Sequence, residues 1–155
     1  MLLQTLDYSM SQKLSPKQAE EIISSPQIRR EAAKTFIGFA GIYLSHYFTL
    51  AAADFHKELF NLLTDWSKQF IGVAGFRGSA KSTIAGLAFP LWAALNKKAN
   101  FIIPINETDD MVRLSIANMR QELQYNKLLV SDFGDVVLNK EAKTSFGETN
   151  VVLAN

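Results

Sequence analysis

The sequence predicts an α/β fold, in which a parallel β-sheet is flanked by helices and preceded by a helical N-terminal segment. Three observations lead to this prediction. Apolar residues recur at helical spacing before residue 70, an apolar run without polar alternation follows at Phe70–Ala74, and helix-length and strand-length segments then alternate. We therefore divide the 155 residues into a helical N-terminal segment, 1–69, and an incomplete α/β core, 70–155.

Composition excludes several classes of protein. Hydrophobic residues make up 48% of the chain and charged residues 20%, which argues against disordered and low-complexity classes. The chain has no Cys and only 2 His, so a disulfide scaffold or thiolate metal site is excluded and a zinc cage is not expected. The 16 basic residues balance 15 acidic ones, so charge alone does not indicate nucleic-acid binding.

One uncharged stretch, Thr35–Ala53, is close to the length that spans a bilayer. It contains Ser45 and His46, which a single membrane span would hold near its centre at a cost in free energy. We therefore expect a buried helix that runs into a loop, and no membrane association. The N-terminus has no leading positive charge and no long apolar region, so no secretory signal is predicted.

The N-terminal segment contains two helix-start signals, Ser-Pro pairs at residues 15–16 and 25–26. The second predicts a helix that places Ile28, Phe36 and Phe39 on one face and continues toward Tyr43. A further helix is predicted over 55–66, from its apolar residues at helical spacing.

Beyond residue 75 the pattern predicts two more long helices and two more strands. The first helix follows the glycine-rich segment and contains Pro90, which should kink it. A buried strand is predicted at Phe101–Ile105, a long helix from Thr108 to Asn126, and a last strand at Val151–Leu153.

Residues 75–83 carry the motif from which a ligand is predicted. They read GFRGSAKST, and the phosphate-binding loop pattern is G-x-x-x-x-G-K-S/T. Gly75, Lys81 and Ser82 match the pattern, whereas Ala80 replaces its second glycine. The predicted phosphate-binding residues are Gly75, Phe76, Arg77, Gly78, Ser79, Ala80, Lys81, Ser82 and Thr83.

The chemistry of phosphate binding explains this choice of residues. Phosphate oxygens need several backbone N–H groups that point into one concave turn, and Gly75 and Gly78 permit such a turn. A helix that begins near Lys81 adds free N–H groups and the positive end of its dipole. The Lys81 ammonium can then reach the outer phosphates, and the Ser82 hydroxyl can enter the shell of a nucleotide-bound Mg²⁺.

Two alternatives stay open at this stage. The whole motif can be a glycine-rich turn between a strand and a helix, with Lys81 on the surface. Arg77 is either a solvated loop cation or a second positive group near the γ-phosphate.

The segment FRGSAKST, with Arg inside the loop and Ala before the Lys, resembles the variant Walker A motif of large terminase subunits. These are the ATPases that drive DNA into the proheads of tailed phages. Three further stretches resemble the same family: YLSHYFTLAAADFHKELF, FPLWAALNKKANFIIPINET and MRQELQYNKLLVSDFGD. The resemblance extends from about Tyr43 to Asp135.

The resemblance implies a RecA-like P-loop NTPase fold that binds ATP with Mg²⁺. It also implies duplex DNA, the portal protein and the small terminase subunit as partners, and a phage or prophage protein in the host cell cytoplasm. In that family the segment before the first strand lies near the adenine, which makes His56 a candidate polar contact and Phe55 a candidate apolar wall. The alternative is that Phe55 belongs to the core and His56 to a helix surface.

The sequence lacks two parts that such a motor needs. No apolar strand is followed by a Walker B acid, since Asp109 and Asp110 suit the start of a helix better, and the nuclease carboxylates do not appear. We therefore expect an N-terminal, truncated or split part of the packaging ATPase, not hydrolytically competent alone. A non-enzymatic remnant or interaction protein with a vestigial P-loop is the alternative. Either is expected to self-associate or to need a completing subunit.

Overall fold

The computed structural model describes residues 24–49, 51–137, 145–146 and 151–153. The helix expected after Ser15-Pro16 lies outside the described residues. Helices and strands follow in the order α1 (Pro26–Ala32), α2 (Phe36–Tyr43), a 3₁₀ turn (Ser45–Tyr47), α3 (Asp54–Thr64), α4 (Lys81–Thr83), a π-helix (Ile84–Ala88), α5 (Phe89–Leu95), α6 (Asp109–Tyr125), α7 (Lys127–Val137), β1 (Ser145–Phe146) and β2 (Val151–Val152).

The predicted α/β fold is wrong, because the described part of the chain contains no parallel sheet and is predominantly helical. Its strands are the two-residue β1 and β2, which pair antiparallel with Ser145 opposite Val152. The RecA-like P-loop core that we expected over 70–155 therefore does not form as a sheet flanked by helices. The predicted last strand, Val151–Leu153, lies partly in β2.

The two predicted buried strands, Phe70–Ala74 and Phe101–Ile105, are irregular segments with exposed side chains. Phe70 is 93% exposed and Phe101 81% exposed. A strand inside a parallel sheet needs backbone partners on its sides and cover on both faces. Gly72 weakens the first segment as a strand, and Pro104 removes a backbone donor from the second.

The chain divides into two compact units, Met1–Phe89 and Pro90–Asn155. The boundary predicted at residue 69, between a helical segment and an incomplete P-loop core, stays a prediction. In the first unit α1 begins as predicted, with Pro26 at its first position and the Ser25 hydroxyl accepting from the Ile28 N–H at 3.5 Å. The predicted continuous helix is interrupted before α2, where the Thr35 hydroxyl accepts from the Gly38 N–H at 3.1 Å.

Aromatic side chains form the core of the first unit. The Phe36 ring centroid lies 4.6 Å from that of Phe60 in α3 and 5.5 Å from that of Phe89. Tilted and edge-to-face rings at these distances add to the stabilisation that apolar burial supplies.

The uncharged stretch that begins at Thr35 forms the buried helix α2, as expected. Within the described residues, no helix has both the length and the apolar character that a membrane span requires.

Pro90 is the second residue after the π-helix, in which the helix that starts at Lys81 departs from regular α geometry. Proline has no N–H to donate, and its ring crowds the carbonyl four residues earlier, here Gly86. A wider π turn at this point relieves that crowding. The predicted distortion therefore takes the form of a π-helical stretch before the proline.

In the second unit, α6 and α7 pack together. Thr108 caps α6 by accepting from the Met111 N–H at 3.4 Å, so the predicted helix from Thr108 to Asn126 is confirmed. Asn126 separates the two helices: its side-chain Nδ2 donates to the Glu122 carboxylate at 2.8 Å, and its side-chain Oδ1 accepts from the Leu129 N–H at 3.2 Å. Asn126 therefore ends one helix and caps the next.

Gly38 and Gly86 give a matched test of packing in the first unit. A Cβ added at Gly38 would clash with the Ala32 carbonyl oxygen and lie 2.7 Å from the Thr35 hydroxyl, whereas one at Gly86 would meet open space. We predict that Gly38→Ala lowers the free energy of unfolding by about 1–3 kcal/mol. Gly86→Ala should raise it by up to about 1 kcal/mol, because alanine favours a helix. Chemical denaturation of both variants measures the difference, and equal effects would contradict this packing.

Candidate phosphate-binding loop

The predicted phosphate-binding residues occupy the turn that leads into the helix beginning at Lys81. Residues 75–80 are irregular, and Lys81, Ser82 and Thr83 form α4. Gly75–Gly78 are exposed, whereas Ser79 is buried. The expected strand before the loop is replaced by the irregular Phe70–Ala74, so the loop connects an irregular segment to a helix.

The Lys81 side chain folds back over this loop. Its ammonium donates to the Phe76 carbonyl oxygen at 3.1 Å. Its Cδ atom would lie 3.4 Å from a Cβ placed on Gly75, so the stem of the lysine runs along the backbone of that glycine. The cation is therefore held above the loop.

The Ser79 hydroxyl lies inside the loop. Ser79 is 3% exposed, and its Oγ has no hydrogen-bond partner within the described chain. A Cβ placed on Gly75 would lie only 3.2 Å from this oxygen. A buried hydroxyl without a partner costs about 1–3 kcal/mol, so a hydrogen-bonding group that enters the loop would be stabilising. The absence of a Cβ at Gly75 leaves room for both the Ser79 hydroxyl and the stem of Lys81. The chemistry of the Ser79 hydroxyl and the Lys81 ammonium is compatible with the predicted phosphate ligand.

The backbone of the loop is left-handed at two positions. Gly78 has φ +83, a value that glycine adopts without steric cost. Ala80 has φ 56 and ψ 8, where a Cβ costs about 1–2 kcal/mol. This conformation gives a physical reason for the glycine that the phosphate-binding pattern carries at this position. The loop thus closes with alanine, at the cost of strain at residue 80.

His56 contacts the loop in a way that the sequence did not predict. Its Nδ1 accepts from the Ala53 N–H at 3.0 Å at the start of α3, and its Nε2 lies 3.1 Å from the Ser79 carbonyl oxygen. The neighbouring Phe55 ring packs edge-on against the Phe76 ring at 5.6 Å. His56 is therefore bound to the loop backbone, neither a free residue on a helix surface nor shown to be an adenine contact. Its place at the third position of α3, where side chains often bond back to the cap, signals the bond to Ala53 but not the contact with Ser79.

The remaining candidate residues line the outside of the loop. Ser82 is exposed and Thr83 half-buried in the first turn of α4, and Arg77 is exposed, so both interpretations of Arg77 stay open. Among the described residues there is no cluster of three or more metal-ligating side chains. The role of Ser82 as a contact of nucleotide-bound Mg²⁺ stays a prediction.

Asp109 and Asp110 occupy the first turn of α6, where acidic side chains interact favourably with the helix dipole. The Asp109 carboxylate accepts from Arg113 Nε at 2.8 Å, one turn further along the same helix. The sequence expectation that these acids mark a helix start is confirmed.

Ala80 offers a direct test of the loop conformation. We predict that Ala80→Gly leaves the free energy of unfolding unchanged or raises it by up to about 1 kcal/mol, because relief of left-handed strain outweighs the added freedom of the unfolded chain. Ala117→Gly, in the middle of α6, should lower it by about 1 kcal/mol. Urea denaturation compares the two, and a loss of stability in Ala80→Gly as large as that in Ala117→Gly would contradict the left-handed assignment.

Comparisons with known proteins assign no family to the chain. No protein family, no curated protein and no solved structure matches it. The functional interpretation of the loop therefore depends on its residues, their geometry and the sequence resemblance described above.

Proposed function

We propose that the chain binds ATP with Mg²⁺ through Gly75–Thr83, as the nucleotide-binding part of a terminase-type DNA-packaging ATPase. The observation that carries this proposal is the Lys81 ammonium held over a glycine-lined loop, beside a buried Ser79 hydroxyl that lacks a partner. The resemblance in sequence to large terminase subunits supports the same assignment.

Each residue has a defined part in this proposal. Lys81 Nζ moves from the Phe76 carbonyl to phosphate oxygens, a short movement for a flexible side chain that already lies over the loop. The Ser79 hydroxyl donates to a phosphate oxygen and so gains the partner that it lacks. Ser82 contacts Mg²⁺, which neutralises charge on the phosphates when it is bound with the nucleotide.

We propose that this chain binds ATP but does not hydrolyse it alone. An ATPase of this kind needs an acid that holds Mg²⁺ and a base that orients the attacking water. Asp109 and Asp110 belong to a helix start, and we propose that these groups come from a completing subunit or segment. By the same resemblance, the partners are duplex DNA, the portal protein and the small terminase subunit, in the cytoplasm of the host cell.

A second candidate is a non-enzymatic interaction protein that retains a vestigial loop. Apolar side chains exposed in the 101–105 segment favour it: Ile103 is 64% exposed and Ile105 86% exposed. Contiguous exposed apolar groups of this kind mark surfaces that bind other proteins. We propose that this segment mediates self-association, with Val151–Leu153 as the alternative contact.

Titration calorimetry with ATP, with and without Mg²⁺, tests the binding proposal. We predict saturable binding that Lys81→Ala weakens by at least about tenfold, because the variant loses a charge-assisted contact worth about 1.5–3 kcal/mol. Lys98→Ala removes an exposed lysine from outside the loop and should leave the affinity unchanged. Equal affinity in wild type and Lys81→Ala would overturn the proposal, and no heat of binding in either would favour the vestigial loop.

Steady-state ATP turnover by the wild type above the Lys81→Ala background would contradict the restriction to binding.

Sedimentation velocity tests self-association. We predict concentration-dependent association of the wild type at micromolar concentrations, and a shift toward monomer in Ile103→Glu, because a charge in an apolar contact is costly to desolvate. Gln121→Glu adds the same charge at an exposed position of α6 and should not change association. A compact wild-type monomer over the whole concentration range would rule out this surface.

A further inference from the structure

We propose that His56 is a positioning residue of the phosphate-binding loop, which holds the Ser79–Ala80 peptide in the orientation that an anion requires. The inference rests on the proposed function, since it concerns the same loop. It assigns His56 a role through the backbone of the loop, with no direct contact to the nucleotide. The observation that carries it is the bond between His56 Nε2 and the Ser79 carbonyl oxygen, at 3.1 Å.

The hydrogen bonds of His56 define which ring nitrogen carries the proton. The Ala53 N–H is a donor, so His56 Nδ1, 3.0 Å away, must accept and therefore bears no hydrogen. In the neutral ring the proton is then on Nε2, which donates to the Ser79 carbonyl. Both nitrogens are used, and the ring orientation is set by the start of α3.

The bond to His56 also sets the direction of the next N–H group. In a trans peptide the carbonyl and the following N–H point in opposite directions, so the Ala80 N–H points away from His56. If this peptide turned over, the partial negative charge of the Ser79 carbonyl would face the side to which the Ala80 N–H now points. An anion bound there would be repelled by the oxygen and attracted by the N–H.

The need for such a contact follows from the strain at Ala80. The residue has φ 56, which an alanine adopts only where its surroundings hold it. The Ser79 carbonyl belongs to the peptide that precedes Ala80, so the bond to His56 opposes relaxation of that residue to a right-handed conformation. Packing of Phe55 against Phe76, with ring centroids 5.6 Å apart, gives a second point of support from the first turn of α3.

Three substitutions separate this role from simple helix capping. In His56→Asn the side-chain oxygen can replace Nδ1 as the cap acceptor, but the side chain is too short to reach Ser79. In His56→Gln the amide N–H can replace Nε2 as the donor to Ser79. His56→Ala removes both bonds, and His46→Asn changes the chain's other histidine as a control.

ATP affinity is measured for each variant by calorimetry, together with its thermal stability. We expect His56→Asn and His56→Ala to weaken binding by about threefold to tenfold, the range that corresponds to one hydrogen bond. His56→Gln should bind within about twofold of wild type, and His46→Asn should bind like wild type. Wild-type affinity in His56→Asn, or a loss in His56→Gln equal to that in His56→Ala, would overturn the positioning role while leaving ATP binding intact.

A second measurement does not depend on nucleotide binding. Nitrogen-15 NMR of the imidazole reports the tautomer, and amide relaxation reports motion at residues 78–81. We expect the Nε2–H tautomer in the neutral wild-type ring, and increased motion of the Ala80 amide in His56→Asn but not in His46→Asn. An Nδ1–H tautomer, or an Ala80 amide that does not respond to His56→Asn, would overturn the proposal even if no nucleotide binds.

Discussion

The geometry of the candidate site depends on a reversal of backbone handedness between Gly78 and Lys81. Gly78 and Ala80 have φ values of +83 and 56, and right-handed helix begins at the next residue. With this turn the Lys81 ammonium lies back over the Phe76 carbonyl, and the Ser79 hydroxyl is buried beside Gly75, where a Cβ would crowd it. A right-handed residue at position 80 would send the chain in another direction, and these groups would not meet.

The aromatic core supports this turn from a distance. Phe36 in the buried helix α2 packs against Phe60 in α3, and the same α3 presents His56 from its first turn to the Ser79 carbonyl. The strained residue is therefore held by an element that is itself fixed in the core. Functional groups keep their geometry better when packed helices or strands hold them than when they lie on isolated loops. Support from α3 therefore explains how the loop keeps its left-handed turn with alanine at residue 80.

Local signals in the sequence predicted part of this arrangement. The Ser25-Pro26 start, the Thr108 cap and the helix after the glycine-rich turn follow from nearest-neighbour chemistry, which acts within a few residues. The predictions of strands at Phe70–Ala74 and Phe101–Ile105 were wrong, because an apolar run of strand length carries no information about which strands it would pair with. The contact of His56 with Ser79 spans 23 residues and goes to a backbone carbonyl, so no side-chain pattern could reveal it. The only sequence signal of the left-handed backbone at Ala80 is that the phosphate-binding pattern has a glycine at this position.

Amide NMR during a titration with Mg²⁺-ATP shows whether Gly75–Thr83 receive the phosphates of a nucleotide. We expect the amides of residues 75–83 to shift together and saturate at one affinity, and the same amides to shift on addition of pyrophosphate. Shifts confined to residues outside this loop, or shifts in the loop that persist unchanged in Lys81→Ala, would contradict this expectation.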